Sequence, residues 1–158
     1  MNERILVPLD GSKVGEAALP YIEDLVTKFK KEIKIEVTLL QVISSLTYYV
    51  VAGEAGVPVP YTEPELAELK NRADTYLERM GKSLRDTGAT VKTRVSAGDA
   101  AEEIIKTAEE INADMIAMSS HGRSGISRWA FGSVTAKVLR AGVGPILTVR
   151  APKDTKNF

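Results

Sequence analysis

The chain has 158 residues, with 21 Lys plus Arg, 21 Asp plus Glu, and no cysteine. The length suits a single domain, the balanced charge argues against broad electrostatic binding of nucleic acid or an anionic membrane, and disulfides and thiolate metal sites are excluded. Because no apolar run approaches the ~18 residues of a membrane span and the N-terminus has no signal-peptide apolar core, we expect a cytoplasmic protein.

The first half of the chain alternates between strand and helix patterns. The apolar run at 5–7 predicts a buried strand, and apolar residues at 18, 22, 25 and 29 have helical spacing. Residues 33–43 begin with strict alternation and end apolar on both faces, which is typical of a strand entering a parallel sheet. The segment 44–61 shows neither pattern, so we expect a long structureless loop there, of the kind that is functional or mobile.

The second half repeats the alternation. Thr62 and Glu65 predict a capping box for a helix that ends at Gly88, and Asp99 with Glu102 predicts another helix start. Strands are predicted at 90–96, 114–118 and 145–149, with a helix over 133–141. The resulting order, β-α-β-α-β-α-β-α-β, predicts an α/β fold with a parallel sheet covered by helices on both faces.

Three segments follow strands and are candidates for a ligand site: PLDGS at 8–12, QVIS at 41–44 and SSHGRSG at 119–125. In open parallel sheets, ligands bind beyond the carboxyl ends of the strands, near the point where strand order reverses. These segments are neighbours only if the first strand is central, which the pattern alone does not establish.

The glycine-rich stretch before the last helix predicts an anion site. Gly122 and Gly125 permit positive φ or close approach of a ligand, and Gly132 opens the helix. The first N–H groups of that helix have no intrahelical partner and favour an anion such as a phosphate chain, with Arg123 and Arg128 able to add charge. Neither a Walker loop nor GxGxxG is present. The alternative is that the glycines serve only turns and a helix cap.

The same residues resemble the ATP-binding branch of the universal stress protein family. That branch carries G-x-x-G-x9-G-[ST], which 119–133 matches with Ser119 in place of the first glycine. ILVPLDGS, LLQVI, AGDAAEEII and GPILTVR extend the resemblance over nearly the whole chain. It implies one domain at 1–152 with a tail at 153–158, and a three-layer open sheet of five parallel strands in the order 3-2-1-4-5. This is the Rossmann-like arrangement called adenine nucleotide alpha hydrolase-like.

The resemblance also implies a ligand, ATP or else AMP or ADP, accompanied by Mg²⁺. Asp10 would meet the ribose and could reach the Mg²⁺, and Val42 would meet the adenine. Phosphates would lie on backbone N–H groups at the start of the last helix. The positions implied to contact the nucleotide are Pro8, Leu9, Asp10, Val42, Met118, Ser119, Gly122, Arg123, Gly132, Ser133, Val134 and Thr135.

Several alternatives stay open. Asp10 can instead cap the helix that starts near Ser12, and we interpret His121 as a residue that braces its loop rather than as a general base. We expect a nucleotide-dependent stress or regulatory protein with at most slow ATP hydrolysis, since no set of catalytic groups is evident. The competing functions are a nucleotidyl-transferring or ATP-hydrolysing enzyme and an interaction module that has lost nucleotide, for which Ser119 is the supporting feature.

The last strand, PILTV at 145–149, carries no charge. In the family's order it is an edge strand, and edges are usually blunted by charges or bulges. The resemblance implies a homodimer in which this strand pairs antiparallel with its copy. The alternative is an edge short enough to need no protection.

Overall fold

The described part of the protein contains a parallel sheet, a separate hairpin and four α-helices. The computed structural model describes residues 1–29, 31–53, 55–121 and 131–153. Its strands are β1 (Asn2–Leu9), β2 (Lys34–Ile43), β3 (Thr47–Ala52), β4 (Ala55–Pro60), β5 (Thr90–Ala97), β6 (Met115–Ser119) and β7 (Ile146–Val149). Its α-helices are α1 (Leu19–Phe29), α2 (Glu63–Thr87), α3 (Ala100–Glu110) and α4 (Ser133–Ala141), and a 3-10 helix (Gly15–Ala18) precedes α1.

Five strands form one sheet in the order β5-β2-β1-β6-β7, and every neighbouring pair is parallel. Counted along the chain within this sheet, that order is 3-2-1-4-5, so the predicted topology is confirmed. The first strand is indeed central, lying between β2 and β6. The carboxyl ends of these three strands therefore meet at one edge of the sheet.

Alternation along the strands divides the core into two apolar layers. Ile5, Val7 and Leu9 of β1 pack on one face against residues of α1 and α2 such as Ile22 and Leu77. Residues of β1, β2 and β6 with the opposite parity pack against α3 and α4 on the other face. Because both faces are covered, the strands read as continuous apolar runs rather than as half-polar ones.

The predicted helix boundaries agree with the caps that the structure shows. Thr62 and Glu65 form the reciprocal capping box at the start of α2, and Gly88 ends the helix with φ 106°. At α3 the Asp99 side chain accepts a hydrogen bond from the Glu102 N–H. That hydrogen bond, helped by Lys137 of α4 at 3.3 Å, lowers the pKa of the Asp99 carboxyl below its usual value.

The prediction of a structureless loop at 44–61 is wrong, because β3 and β4 pair antiparallel in register from Thr47–Pro60 to Ala52–Ala55. The segment 47–51 is rich in β-branched and aromatic residues, and Gly53 has the positive φ, 72°, that a two-residue hairpin turn requires. Pro58 and Pro60 obscured the strand because proline is rare inside sheets. The two prolines are two residues apart in β4, so their nitrogens face the same side of the strand. That side can be the open edge, where no hydrogen bond to β3 is lost.

None of the helices within the described ranges is both long enough and apolar enough to span a membrane.

Candidate functional site

A cleft of about 700 Å³ opens at the carboxyl edge of the sheet. The ends of β1, β2 and β6, the start of α4 and one side of α2 form its walls. Within the described chain, every position that the resemblance implies for nucleotide contact lines it: Pro8, Leu9, Asp10, Val42, Met118, Ser119, Gly132, Ser133, Val134 and Thr135. Gly122 and Arg123, also predicted contacts, lie outside the described residues, as do Gly125 and Arg128.

The sheet topology explains why these distant segments converge. The chain leaves central β1 toward β2 on one side and returns to β6 on the other, so the strand order reverses at β1. Leu9 is level with Gln41 at the end of β2, and β6 ends at Ser119, level with Val149. A crevice outside the carboxyl ends of strands at such a reversal is the usual ligand site of open α/β sheets.

The turn after β1 fixes the Asp10 carboxylate through Ser12. The backbone N–H of Ser12 donates to Asp10 Oδ1 at 2.9 Å, and the Ser12 hydroxyl donates to the same oxygen at 2.6 Å. The Gly15 N–H in turn donates to Ser12 Oγ at 3.0 Å, and the first residue of the 3-10 helix is therefore held by Ser12 rather than by Asp10. The carboxylate is half-buried at the cleft wall, with one oxygen oriented by this turn.

Among the residues that the structure describes, the start of α4 faces the cleft without a side-chain cap. Gly132 is the N-cap residue, with φ −58° and ψ 161°, and as a glycine it has no side chain to accept from the first turn. The Gly132 N–H donates to Ser120 O at 2.9 Å, and the buried Thr135 hydroxyl donates to Ser119 O at 3.0 Å, which ties the helix to the end of β6. An uncapped helix start in a cleft attracts anions through its N–H groups and the helix dipole.

Ser119, which replaces the motif's first glycine, has ordinary strand geometry. Ser119 ends β6 in register with Val149. Its φ is negative, since Asn112 is the one non-glycine residue of the described chain with positive φ. The Ser119 hydroxyl donates to the His121 carbonyl at 2.6 Å. A serine at this position therefore needs no strained backbone, and its side chain bonds back to its own loop.

Two buried polar atoms on the cleft wall have no hydrogen-bond partner among the described residues, Gln41 Oε1 and His121 Nε2. The other ring nitrogen of His121 lies 3.2 Å from Ser120 Oγ, which orients the imidazole. A buried polar atom without a partner costs free energy. Both atoms are enclosed by the protein, so neither faces the open cleft. Neither residue is among the predicted nucleotide contacts, although both stand where a strand ends.

The α2 wall of the cleft was not predicted. Leu69, Arg72, Ala73 and Tyr76 line it, and Tyr61, just before the helix, lines the cleft beside them. The apolar stripe of α2 predicted only core packing, and a helix facing a cleft gives the same stripe as one facing a core. Tyr61 also packs against Tyr48 of the hairpin, with ring centroids 5.1 Å apart, so the hairpin is anchored beside the opening.

Charge on the described wall is sparse: of the Asp, Glu, Lys and Arg residues described, Asp10 and Arg72 are the two that line it. Arg72 is exposed and pairs with Glu68 at 3.0 Å. The Tyr76 hydroxyl donates to Glu16 Oε1 at 3.1 Å, and burial, together with the Glu16 charge, raises the pKa of this phenol well above its usual value. Tyr76 therefore presents a neutral aromatic surface to the cleft at any physiological pH.

No group of three or more His, Asp or Glu side chains that could hold a metal ion occurs within the part of the chain that the structure covers. A divalent cation would therefore need most of its ligands from a bound molecule, such as the phosphate oxygens of a nucleotide, or from water.

Comparison with known proteins agrees with the fold and with the family resemblance. A sequence model described as the universal stress protein family matches residues 1–150. Universal stress protein MJ0577 of Methanocaldococcus jannaschii is 35% identical over 160 residues, covering 95% of this chain and 96% of that protein. Universal stress protein YxiE of Bacillus subtilis is 30% identical over 157 residues, covering 95% and 100% of the two chains.

Solved structures show the same architecture. The structure of MJ0577 superposes with a TM-score of 0.72 at 31% identity, covering 96% of this chain and 98% of that one. A universal stress protein family protein from Arabidopsis thaliana, solved with AMP bound, has a TM-score of 0.65 at 14% identity and covers 99% of both chains. The second likeness is evidence of a shared fold alone.

Proposed function

The chain belongs to the universal stress protein family, and from that premise we propose that it binds an adenine nucleotide, ATP together with Mg²⁺, in the cleft at the carboxyl edge of its sheet. One observation carries the proposal. Residues from four separated segments, which the family resemblance implies as nucleotide contacts, line one cleft wherever the structure describes them. AMP or ADP would bind in the same cleft, with its adenosine in the position that the adenosine of ATP takes.

The walls suit the two ends of a nucleotide differently. Leu40, Val42, Ile104 and Met118 supply apolar surface for an adenine ring, and Gln41 and Ser44 line the cleft beside them. Such a mixture of apolar walls and a few polar groups is typical of small-molecule sites. Asp10, already oriented by Ser12, would accept hydrogen bonds from ribose hydroxyls.

The phosphates would lie against the start of α4. Gly132 offers no side chain to compete for the N–H groups of the first turn, and Ser133 lines the cleft beside it, with a hydroxyl that can add a donor. Bound Mg²⁺ would neutralise phosphate charge, and Asp10 is the carboxylate on the described wall that could contact it. We propose that the protein works in the cytoplasm as a nucleotide-dependent regulator, with residues 1–152 as its domain and 153–158 as a tail.

Turnover is expected to be slow. Fast phosphoryl transfer requires a group that positions water and a charge clamp. On the described wall, Asp10 is assigned to the ribose and the bound Mg²⁺, and the Arg72 side chain is exposed and paired with Glu68. We therefore expect steady-state ATP hydrolysis below about 1 s⁻¹, the low end for ordinary enzymes.

Calorimetric titration tests the proposal. Mg-ATP should bind with one site per chain and Mg-triphosphate much more weakly, because the adenosine end is recognised by the cleft. Mg-GTP serves as the control for the base. Absence of binding by Mg-ATP, AMP and ADP in the purified protein would leave the alternative of a nucleotide-free interaction module.

We also propose a homodimer through β7. This strand is the last in the sheet order and pairs with β6 alone among the described strands. Its residues carry no charge, whereas β5 at the other edge carries Lys92 and Arg94. An unblunted edge favours pairing with another strand.

A charge placed on the edge tests the dimer. Thr148→Lys should convert a dimer to a monomer in sedimentation velocity, because a lysine on an edge strand opposes strand pairing. Thr90→Lys on β5 is the matched control and should leave the dimer intact. A wild-type monomer at micromolar concentration would contradict this part of the proposal.

A further inference from the structure

We propose that Gly15, acting with the Ser12 hydroxyl, is a positioning residue for Asp10, and that it sets how strongly the protein distinguishes ribose from deoxyribose. The inference rests on the proposed nucleotide function and adds to it a residue that makes no predicted contact with the ligand. Gly15 is buried at the start of the 3-10 helix, five positions after Asp10.

The space above Gly15 is already filled by the Asp10 carboxylate. A Cβ atom at position 15 would overlap Asp10 Oδ1 and would lie 3.0 Å from Asp10 Cγ and 3.2 Å from Ser12 Oγ. Gly15 is not among the glycines of positive φ. Its backbone is therefore open to any L residue, and the steric conflict is with Asp10 rather than with the local backbone conformation.

Hydrogen bonds join the same three residues in sequence. The Gly15 N–H donates to Ser12 Oγ at 3.0 Å, so the hydroxyl proton of Ser12 is directed elsewhere, and it is donated to Asp10 Oδ1 at 2.6 Å. The Ser12 N–H donates to the same oxygen at 2.9 Å. Ser12 is buried, which shields this short network from water. The carboxylate is thus held by Ser12 and seated directly on the glycine.

A methyl group at position 15 would displace Asp10 Oδ1 from its position against Gly15. Carbon–oxygen contacts of that kind relax to well above 3 Å, so the carboxylate must turn and the bonds from Ser12 must lengthen or break. A carboxylate that binds ribose hydroxyls does so with charge-assisted hydrogen bonds, whose strength depends on placement. Loss of one such bond corresponds to a loss of affinity of about tenfold or more.

The test compares ATP with 2′,3′-dideoxy-ATP, each with Mg²⁺, by calorimetric titration. Wild-type protein should prefer ATP by about tenfold or more, and Gly15→Ala should reduce that ratio nearly to one, as should Asp10→Ala. In an Asp10→Ala background the second change, Gly15→Ala, should have no further effect on the ratio, because the residue it acts through is gone.

Gly56→Ala is the matched control. A Cβ there would make an ordinary 3.4 Å contact with Tyr49 in the hairpin, and Gly56 does not line the cleft. It should keep the wild-type ratio. Thermal melts establish that each variant is folded. Should Gly15→Ala fail to fold, Ser12→Ala decides the matter, since it removes the hydroxyl link and should also lower the ribose preference.

The outcomes separate the two proposals. A wild-type protein that binds neither nucleotide overturns the proposed function, and this inference with it. A wild-type protein that prefers ATP while folded Gly15→Ala retains the preference overturns the inference alone. The inference is also overturned if Gly15→Ala lowers the ratio equally with and without Asp10.

Discussion

The start of α4 offers a substitution whose effects on stability and on binding should have opposite signs. Gly132 is its N-cap residue, with φ −58° and ψ 161°, and as a glycine it has no side chain of its own to cap the helix. Thr62, the N-cap of α2, has φ −71° and ψ 163° and accepts a hydrogen bond from the Glu65 N–H. Because the two backbones are so similar, Gly132→Asp should place a carboxylate on the first-turn N–H groups of α4.

The size of each effect follows from this geometry. Replacing an N-cap glycine by aspartate gains a few tenths of a kcal/mol from the cap, and a negative charge at a helix start adds about 0.3–1 kcal/mol. We therefore expect the free energy of unfolding to rise by about 0.5–1 kcal/mol, or a few degrees in Tm. The same carboxylate would take the phosphate's donors and repel it, so Mg-ATP affinity should fall by about ten- to a hundredfold, the value of one hydrogen bond to a charged group.

Thermal denaturation and calorimetric titration measure the two effects on the same preparation. Gly56→Asp in the hairpin makes the same change in net charge away from the cleft, and its affinity should equal that of the wild type. The reasoning fails if Gly132→Asp binds Mg-ATP as tightly as the wild type. It also fails if weaker binding comes with a lower Tm, because the helix start would then not be an open anion site.

Two further predictions concern stability. Thr107 of α3 is fully buried and its hydroxyl has no hydrogen-bond partner within the described chain. Thr107→Val should therefore raise the free energy of unfolding, measured by denaturant titration, by about 1 kcal/mol. A loss of stability would show that the hydroxyl is hydrogen-bonded. Tyr76 has a raised pKa in the folded state, so its neutral phenol stabilises the protein below pH 10 and this contribution is lost as pH rises above 10. Tyr76→Phe should flatten the fall of unfolding free energy above pH 10 by up to about 1.4 kcal/mol per pH unit, and an unchanged slope in alkaline melts would contradict the burial of that phenol.

Local signals predicted most of the scaffold. The capping box at Thr62 and the helix end at Gly88 could be predicted because each satisfies backbone groups within a few residues of itself. The central position of β1 is a property of long-range pairing, and it came from the family resemblance rather than from the pattern. Once β1 is central, convergence of the segments after β1, β2 and β6 is a geometric consequence.

What the sequence did not predict depends on contacts between distant elements. The hairpin was missed because Pro58 and Pro60 are strand breakers in general and are tolerated here by an open edge. The α2 wall was missed because Ala73 and Leu69 belong to a stripe that predicts burial without saying whether a core or a cleft lies opposite. The contact of the Asp10 carboxylate with Gly15 could not be predicted, because the sequence does not show which neighbouring atoms occupy the space that a Cβ at position 15 would need.

The central claim is tested most directly by a crystal structure grown with an excess of Mg-ATP. We predict that the phosphates will lie on the backbone N–H groups that begin α4, with the ribose beside Asp10 and the adenine against Val42. A nucleotide bound elsewhere, or a side chain of the protein lying across the start of α4 in its place, would contradict the claim.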